Sequence, residues 1–260
     1  MIPFLKMHGC GNDFVVIDSR AANIGMMLTN SSMISNICDR RMGVGCDQLI
    51  IMADGGTADI EMMVRNADGS SAGMCGNAAR CVADIVMKEK GKDQITMQVR
   101  NRMLTCWRDK ATGNVSVDMG APSSTGKADV GLNLEPGFKV DVGNPHAVFV
   151  VKDADQVDLE HLGPKIEHHN LFPDRTNVEF VSFEGEGKLR MRVWERGAGV
   201  TLACGSGACA TAYATYAQGH APRKQSIRMD GGTLSMEIRE GDDHVIMTGP
   251  VTYVFKGNLS

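Results

Sequence analysis

The tightest constraint on this 260-residue chain is a pair of helix starts separated by half its length. The first is Met74-Cys75-Gly76-Asn77-Ala78-Ala79-Arg80-Cys81, and the second is Ala203-Cys204-Gly205-Ser206-Gly207-Ala208-Cys209. In each, a Cys-Gly dipeptide opens a run of small and apolar residues that reads as a helix. The first run ends at Gly91 and the second at Gly219, with Pro222 just beyond. Glycine after the last helical residue and proline soon after are helix stops. A helix N-terminus offers unpaired N–H groups and partial positive charge, both of which favour thiolate over thiol. Cysteines so placed can have a pKa lowered to roughly 3.5–7.5. Two of them in one chain suggest paired acid–base groups.

Cys204 follows Cys75 by 129 residues, and other polar residues recur at nearly that offset. Asn66 lies nine before Cys75, and Glu195 nine before Cys204. Gln48 is matched 129 residues later by Asn177, and Gly11-Asn12 is matched at a shift of 132 by Gly143-Asn144. Gly-Asn pairs are common in turns, but four matches in chain order predict a duplicated unit. The expected fold is α+β, with two pseudo-symmetric domains, each a curled, mostly antiparallel sheet around one central helix. Residues 1–119 would carry Cys75 and be completed by a C-terminal strand within 249–260. Residues 120–248 would carry Cys204.

The chain is 43% hydrophobic and 22% charged, as in a soluble globular protein. A net charge of −4 gives no electrostatic footprint for nucleic acid. No apolar run has the length of a membrane span, and the N-terminus lacks the pattern of a signal peptide. A cytoplasmic location is expected. Of the eight cysteines, none forms a C-x-x-C, and the seven histidines do not fall at zinc-ligand spacing. Reduced thiols are therefore expected, and no metal. Cys81 and Cys209, deeper in the helices, read as core residues; Cys10, Cys38, Cys46 and Cys106 read as incidental.

Residues 2–20 read as strand, glycine-rich turn and strand, with Gly9 and Gly11 letting the turn present Asn12 at a concave surface. Residues 28–40 look helical, with Asn30, Ser31 or Ser32 as N-cap. Strands follow at 49–52 and 60–66. The helix after Cys75 shows little polar surface before Lys88, so it should be enclosed. Further strands run at 95–107 and 115–119, and residues 120–138 read as a crossover rich in glycine and proline. In the second half, strands are expected at 147–151, 178–183, 188–194, 226–229, 234–239, 244–247 and 251–255, with a helix over 157–168.

These residues together resemble the diaminopimelate epimerases over nearly the whole chain. The matching segments include residues 8–18, Gly-Val-Gly-Cys-Asp-Gln ending at Gln48, and Asn66-Ala-Asp-Gly-Ser70. They continue with the Cys75 run, Gly143-Asn144-Pro145-His146, Asn177, Glu195-Arg196-Gly197-Ala198-Gly199 and the Cys204 run. The resemblance implies the two-domain fold named for that family, with the active site between the halves. It also implies interconversion of L,L- and meso-diaminopimelate without a cofactor, for lysine and cell-wall precursors. It makes Cys75 and Cys204 the catalytic thiols. The substrate would meet Asn12, Gln48, Asn66, Gly76, Asn77, Asn144, Asn177, Glu195, Arg196, Gly205 and Ser206, with His146 and Glu195 supporting catalysis. The small-molecule amino acid would be the only ligand, and a homodimer is implied, with Tyr253 or Phe255 at its interface. The chain departs from the family pattern at Ala79, Val200 and Ser71, which bears on pocket polarity and the precise substrate.

Inverting an α-carbon means removing a proton from one face and returning one to the other. Two opposed thiols meet that requirement, and their titrations would be coupled, because adjacent thiolates repel. Backbone N–H groups after each cysteine would hold the α-carboxylate as it gains enolate character, a contribution of about 2.7–4 kcal/mol per donor in measured cases. Many racemases use pyridoxal instead, but no lysine here sits in a recognisable pyridoxal motif. Two other readings stay open: a racemase of the same fold acting on another amino acid, and a thiol-based redox sensor. His in place of Asn77 is usual in the proline-racemase group, which argues against the first.

Overall fold

The computed structural model describes residues 1–21, 24–25 and 30–259. Two compact units divide the chain: Met1–Val117 together with the segment from Gly249 onward, and Asp118–Thr248.

In the first unit the strands are β1 (Ile2–Gly9), β2 (Asn12–Asp18), β3 (Gln48–Ala53), β4 (Ile60–Asn66), β5 (Gln94–Val99), β6 (Arg102–Arg108) and β7 (Val115–Asp118). The last strand of the chain, β17 in sequence order (Thr252–Leu259), pairs antiparallel with β1. From β17 the ladder runs through β1 to β7 in order, with β2–β3 and β4–β5 parallel and the other pairs antiparallel. Helix α1 (Ser31–Cys38) lies between β2 and β3 in sequence, and α2 (Gly76–Lys90) between β4 and β5.

The second unit repeats this plan. Its strands are β8 (Ser123–Ala128), β9 (Gly137–Asp141), β10 (Pro145–Val150), β11 (Asn177–Gly185), β12 (Lys188–Glu195), the short β13 (Gly199–Val200), β14 (Lys224–Met229), β15 (Gly232–Ile238) and β16 (Val245–Gly249). The pairs β10–β11 and β12–β14 are parallel and the rest antiparallel, in the same sequence along the ladder. Helix α3 (Leu159–Glu167) falls between β10 and β11, and α4 (Gly205–Ala217) between β13 and β14. The α+β class read from the sequence is the observed one.

Each sheet is covered on both faces. In the first unit Val15, Ile17, Leu49 and Ile51 pack in one cluster with Ile34 and Ile37 of α1. Successive strand residues point to opposite faces, so Phe14, Val16, Ile50 and Met52, also buried, face the other way. Helix α2 packs against β1, β2, β4, β5 and β6. In the second unit Ala147, Phe149, Val178 and Phe180 pack with Leu159 and Ile166 of α3. The alternate residues face α4, which contacts β9 to β12, β14 and β15. Full burial of one such aliphatic or phenyl side chain is worth about 1.5–3 kcal/mol. Core burial on two faces explains why β2, β3, β10 and β11 read as near-continuous apolar runs.

The central helices differ in how they are enclosed. Ala208, Ala210, Ala212 and Ala214 keep α4 thin enough for strands to approach closely, and its buried Thr215 hydroxyl is hydrogen-bonded to Thr211 O and Gln225 Oε1. Helix α2 is enclosed as expected, yet it carries Arg80 and Asp84 inside. Asp84 accepts from Lys88 and Arg108, each at 2.7 Å. Arg80 lies against the β1–β2 turn: a Cβ on Gly9 would come within 2.8 Å of its Nη2.

Two readings needed correction. Residues 120–138 are not only a crossover, because β8 forms there and pairs with β9. Its Ser-Ser-Thr-Gly-Lys run is exposed and has no apolar alternation, so only backbone pairing defines it. The first helix starts at Ser31 with Asn30, one of the expected caps, accepting at Oδ1 from Met33 N at 3.0 Å, and it ends at Cys38 rather than at residue 40; positions 28 and 29 lie outside the described residues.

Gly163, inside α3, lies against the indole of Trp194, where an added Cβ would come within 2.4 Å of the ring. Alanine normally improves a helix interior over glycine by roughly 0.5–1 kcal/mol. Here the clash reverses the sign: Gly163→Ala is expected to destabilise the protein by about 1–3 kcal/mol in guanidinium unfolding. A stabilised variant would contradict the packing described.

Candidate functional site

Cys75 and Cys204 are the N-caps of α2 and α4, with nearly the same backbone angles: φ −124° and ψ 108° at Cys75, φ −124° and ψ 111° at Cys204. Gly76 to Cys81 are buried after the half-buried Cys75, and Gly205 and Gly207 are buried after Cys204, with Ser206 half-buried between them.

In the first unit, the strand ends bring three polar side chains to the face shared with α2. Asn12 follows Cys10 and Gly11, whose φ values of 54° and 80° make the tight turn between β1 and β2. Its Oδ1 accepts from Cys75 Sγ at 3.6 Å and from Asn77 Nδ2 at 3.2 Å, and its Nδ2 donates to Asp47 Oδ2 at 2.9 Å. Asp47 is locked to Asp13 by reciprocal backbone-to-carboxylate hydrogen bonds. Burial alone would raise the Asp13 carboxyl, but hydrogen bonds from Arg40 and Lys6 outweigh it and hold it well below the usual carboxylate range. Gln48 and Asn66 sit opposite one another in the β3–β4 register, with Gln48 Nε2 donating to Asn66 Oδ1 at 3.1 Å. Asn66 Nδ2 in turn donates to Ser70 Oγ at 3.0 Å.

In the second unit, Cys204 Sγ accepts from Gly207 N at 3.3 Å and lies 3.4 Å from Ser206 Oγ. Ser206 Oγ accepts from Asn144 Nδ2 at 3.4 Å. His146 and Asn177 are register partners on β10 and β11. Asn177 Nδ2 donates to Pro145 O, and its Oδ1 accepts from Arg196 N at 3.0 Å. The Glu195 carboxylate is hydrogen-bonded to both Thr201 and Cys204. Arg196 Nη1 donates to Asp174 O at 3.1 Å, and the turn after it is held by Gly197 N to Glu167 Oε1 at 3.0 Å. Asn144, His146 and Arg196 line a cavity of about 480 Å³.

The family model described as diaminopimelate epimerase matches residues 4–125 and 138–254. The chain belongs to the diaminopimelate epimerase family. It is 45% identical to the diaminopimelate epimerase of Rhodospirillum centenum over 99% of this chain and 92% of that one. With the diaminopimelate epimerase of Bacteroides thetaiotaomicron, identity is 43% over 99% of this chain and 98% of the other. Among solved structures, one described as a predicted epimerase from Pseudomonas aeruginosa superposes with a TM-score of 0.76 at 16% identity, covering 100% of this chain and 99% of that one. That likeness concerns the fold.

The family's departures fall away from these hydrogen bonds. Ala79 is buried within α2, with its N–H on Cys75 O at 2.9 Å. Val200 is 43% exposed, and Ser71 accepts from Arg100. Side chains that the sequence did not single out complete the two environments: Asp47 orients Asn12, Thr201 orients Glu195, and Glu179 contacts His146. Glu179 had a signal, as the lone carboxylate in the apolar strand Val178-Glu179-Phe180-Val181.

The electrostatics of Cys204 differ from the expectation. The α4 N-terminus and Ser206 favour its thiolate, but burial, then the charges of Glu195 and Glu179, push the thiol well above its ordinary value. Burial likewise raises Glu195, against the hydrogen bonds from Thr201 and Cys204. Removing an ion from water outweighs a helix terminus when two carboxylates stand beside it. Cys204 is therefore a thiol at neutral pH in the unliganded protein. Because alkylation follows the thiolate fraction, the carboxamidomethylation rate at Cys204, read by peptide mass spectrometry, is expected to keep rising between pH 9 and 10. A plateau reached below pH 8 would mean that the helix N-terminus dominates instead.

Proposed function

We propose that this protein interconverts L,L- and meso-2,6-diaminopimelate, with Cys75 and Cys204 acting on opposite faces of one α-carbon. The observation that carries the reading is the duplicated cysteine cap: two thiols with matching backbone geometry, each at the start of a buried helix. At the start of a turnover one sulfur is thiolate and the other thiol. The thiolate takes the α-proton, the electron pair moves into the adjacent carboxylate, and the opposite thiol delivers its proton to the other face. The sulfurs finish with their roles exchanged, so either direction uses the same pair.

The remaining residues have consistent roles in this scheme. N–H groups at Gly76-Asn77 and Gly205-Ser206 receive the α-carboxylate as it becomes enolate-like, fixed donors aimed at developing charge. Glu195, hydrogen-bonded to Cys204, takes the thiol proton when that sulfur must act as base. His146 supports the same centre. The amides of Asn12, Gln48, Asn66, Asn144 and Asn177, with Arg196, bind the ammonium and carboxylate groups, a guanidinium being well matched to a carboxylate. No pyridoxal and no metal enters any step.

A cytoplasmic homodimer belongs to the same proposal. All eight cysteines are free thiols, which suits a reducing compartment. Among the described residues no helix is long and apolar enough to cross a membrane. Val254 and Phe255 on β17 are about half exposed, while Tyr253 sits under Lys88 Nζ, 4.5 Å from its ring centre. An exposed apolar strand of this kind suits a second copy of the chain.

The deciding experiment incubates the reduced protein with L,L-diaminopimelate in deuterated water, without pyridoxal or metal. Deuterium should enter the α-position as the meso isomer forms. Cys75→Ala and Cys204→Ala should each lower inversion by on the order of 10²–10⁴-fold. Exchange with another amino acid alone would move the assignment to a different racemase. Absence of exchange with any amino acid would favour a thiol sensor, and near-normal turnover in either variant would remove the two-thiol scheme.

A further inference from the structure

Glu179 is fully buried on β11 and its Oε1 stands 2.6 Å from Nδ1 of His146, which is itself buried on β10. Among the described residues, neither Glu179 Oε2 nor His146 Nε2 has a hydrogen-bond partner. Both side chains face α4. A Cβ on Gly207 would come within 2.7 Å of Glu179 Oε1 and 3.3 Å of Cys204 Sγ. Only a glycine in the first turn of α4 leaves room for the carboxylate to lie directly beneath the Cys204 cap.

The duplicated scaffold shows that the fold does not require this pair. His146 is the register partner of Asn177, and the corresponding pair in the first unit is Phe14 with Gln48. Two residues further along β11 and β3 lie Glu179 and Ile50. The positions of the His146–Glu179 pair are thus filled in the first unit by Phe14 and Ile50, both 0% exposed. Burying an ion pair in place of well-packed apolar residues is commonly neutral or unfavourable for stability. A histidine whose partner is fixed at one ring nitrogen has its tautomer set by that contact.

We propose that Glu179 is a positioning residue: by accepting from Nδ1–H it locks the His146 imidazole and leaves Nε2 as the atom through which His146 exchanges protons with the site. The role for His146 rests on the epimerase reading above, whereas the lock itself does not. Charged groups near the imidazole are Glu179 on β11 and Glu195 on β12, and Lys139, Asp141, Asp174, Arg175 and Arg196 line the same cavity as His146.

Nitrogen-15 spectra of histidine-labelled protein read the lock without substrate. In the wild type, neutral His146 should show protonated Nδ1 and unprotonated Nε2. Glu179→Leu, which removes the acceptor, should leave the neutral ring as a mixture of its two tautomers. It should also reduce kcat by on the order of 10²-fold with KM nearly unchanged, since Glu179 touches no substrate. In a His146→Asn background, Glu179→Leu should cost nothing further. The double variant His146→Phe with Glu179→Ile copies the first unit and should fold with undiminished thermal stability while losing inversion. An unchanged tautomer in Glu179→Leu, or losses that simply add in the two backgrounds, would overturn the proposal. Inactivity of the wild type toward diaminopimelate would instead remove the epimerase reading and leave the spectroscopic result standing.

Discussion

Two helices start at cysteines and are buried from their first residue, Gly76 in one and Gly205 in the other, and much of each unit is arranged around them. A helix start leaves N–H groups without intrahelical partners; at α2 and α4 these emerge beside a cysteine and are surrounded by strand ends. Enclosing such a start demands thin helices and close strands. Alanine supplies this in α4, where Ala208, Ala210, Ala212 and Ala214 are almost fully buried. It also demands polar side chains nearby, because buried donors without acceptors are costly. At α4 the sulfur of Cys204 meets part of that demand by accepting from Gly207 N.

The same scaffold then carries two different chemistries. Beside Cys75 the neighbours are amides: Asn12, anchored by Asp47, and Asn77, while Gln48 and Asn66 pair with each other on β3 and β4. Beside Cys204 they are ionisable: Glu195, Glu179 and His146. Asn66 corresponds to Glu195 by its place nine residues before the cysteine, and Phe14 to His146 by strand register. Amides orient without changing charge, whereas the carboxylates beside Cys204 raise its thiol. Divergence at a few register positions is enough to make two equivalent helix caps electrostatically unlike.

Much of this was legible in the sequence because its carriers were short and local. The Cys-Gly starts and glycine stops define α2 and α4 nearly to the residue, and β4 is bounded as expected at Ile60 and Asn66. What escaped was set by tertiary contacts. Strand β8 has no apolar alternation and exists through pairing with β9. Nothing local in the sequence names the Lys88 and Arg108 partners that let Asp84 lie buried in α2. Asp47, Thr201 and Glu179 act on residues 35, 6 and 33 positions away, and no spacing rule links such distances.

The thiol of Cys204 shows most clearly where local reasoning stops. A cysteine at a helix N-terminus reads as a thiolate, and the backbone geometry at Cys204 is the one that reading requires. A helix terminus contributes about half an elementary charge. Against it stand the loss of water around the sulfur and the nearby carboxylates of Glu195 and Glu179. Three opposing contributions outweigh one partial charge, so the sulfur keeps its proton until a neighbouring group accepts it. The sequence names the helix terminus, but only the folded unit reveals the carboxylates that oppose it, and their balance decides the resting state of the thiol.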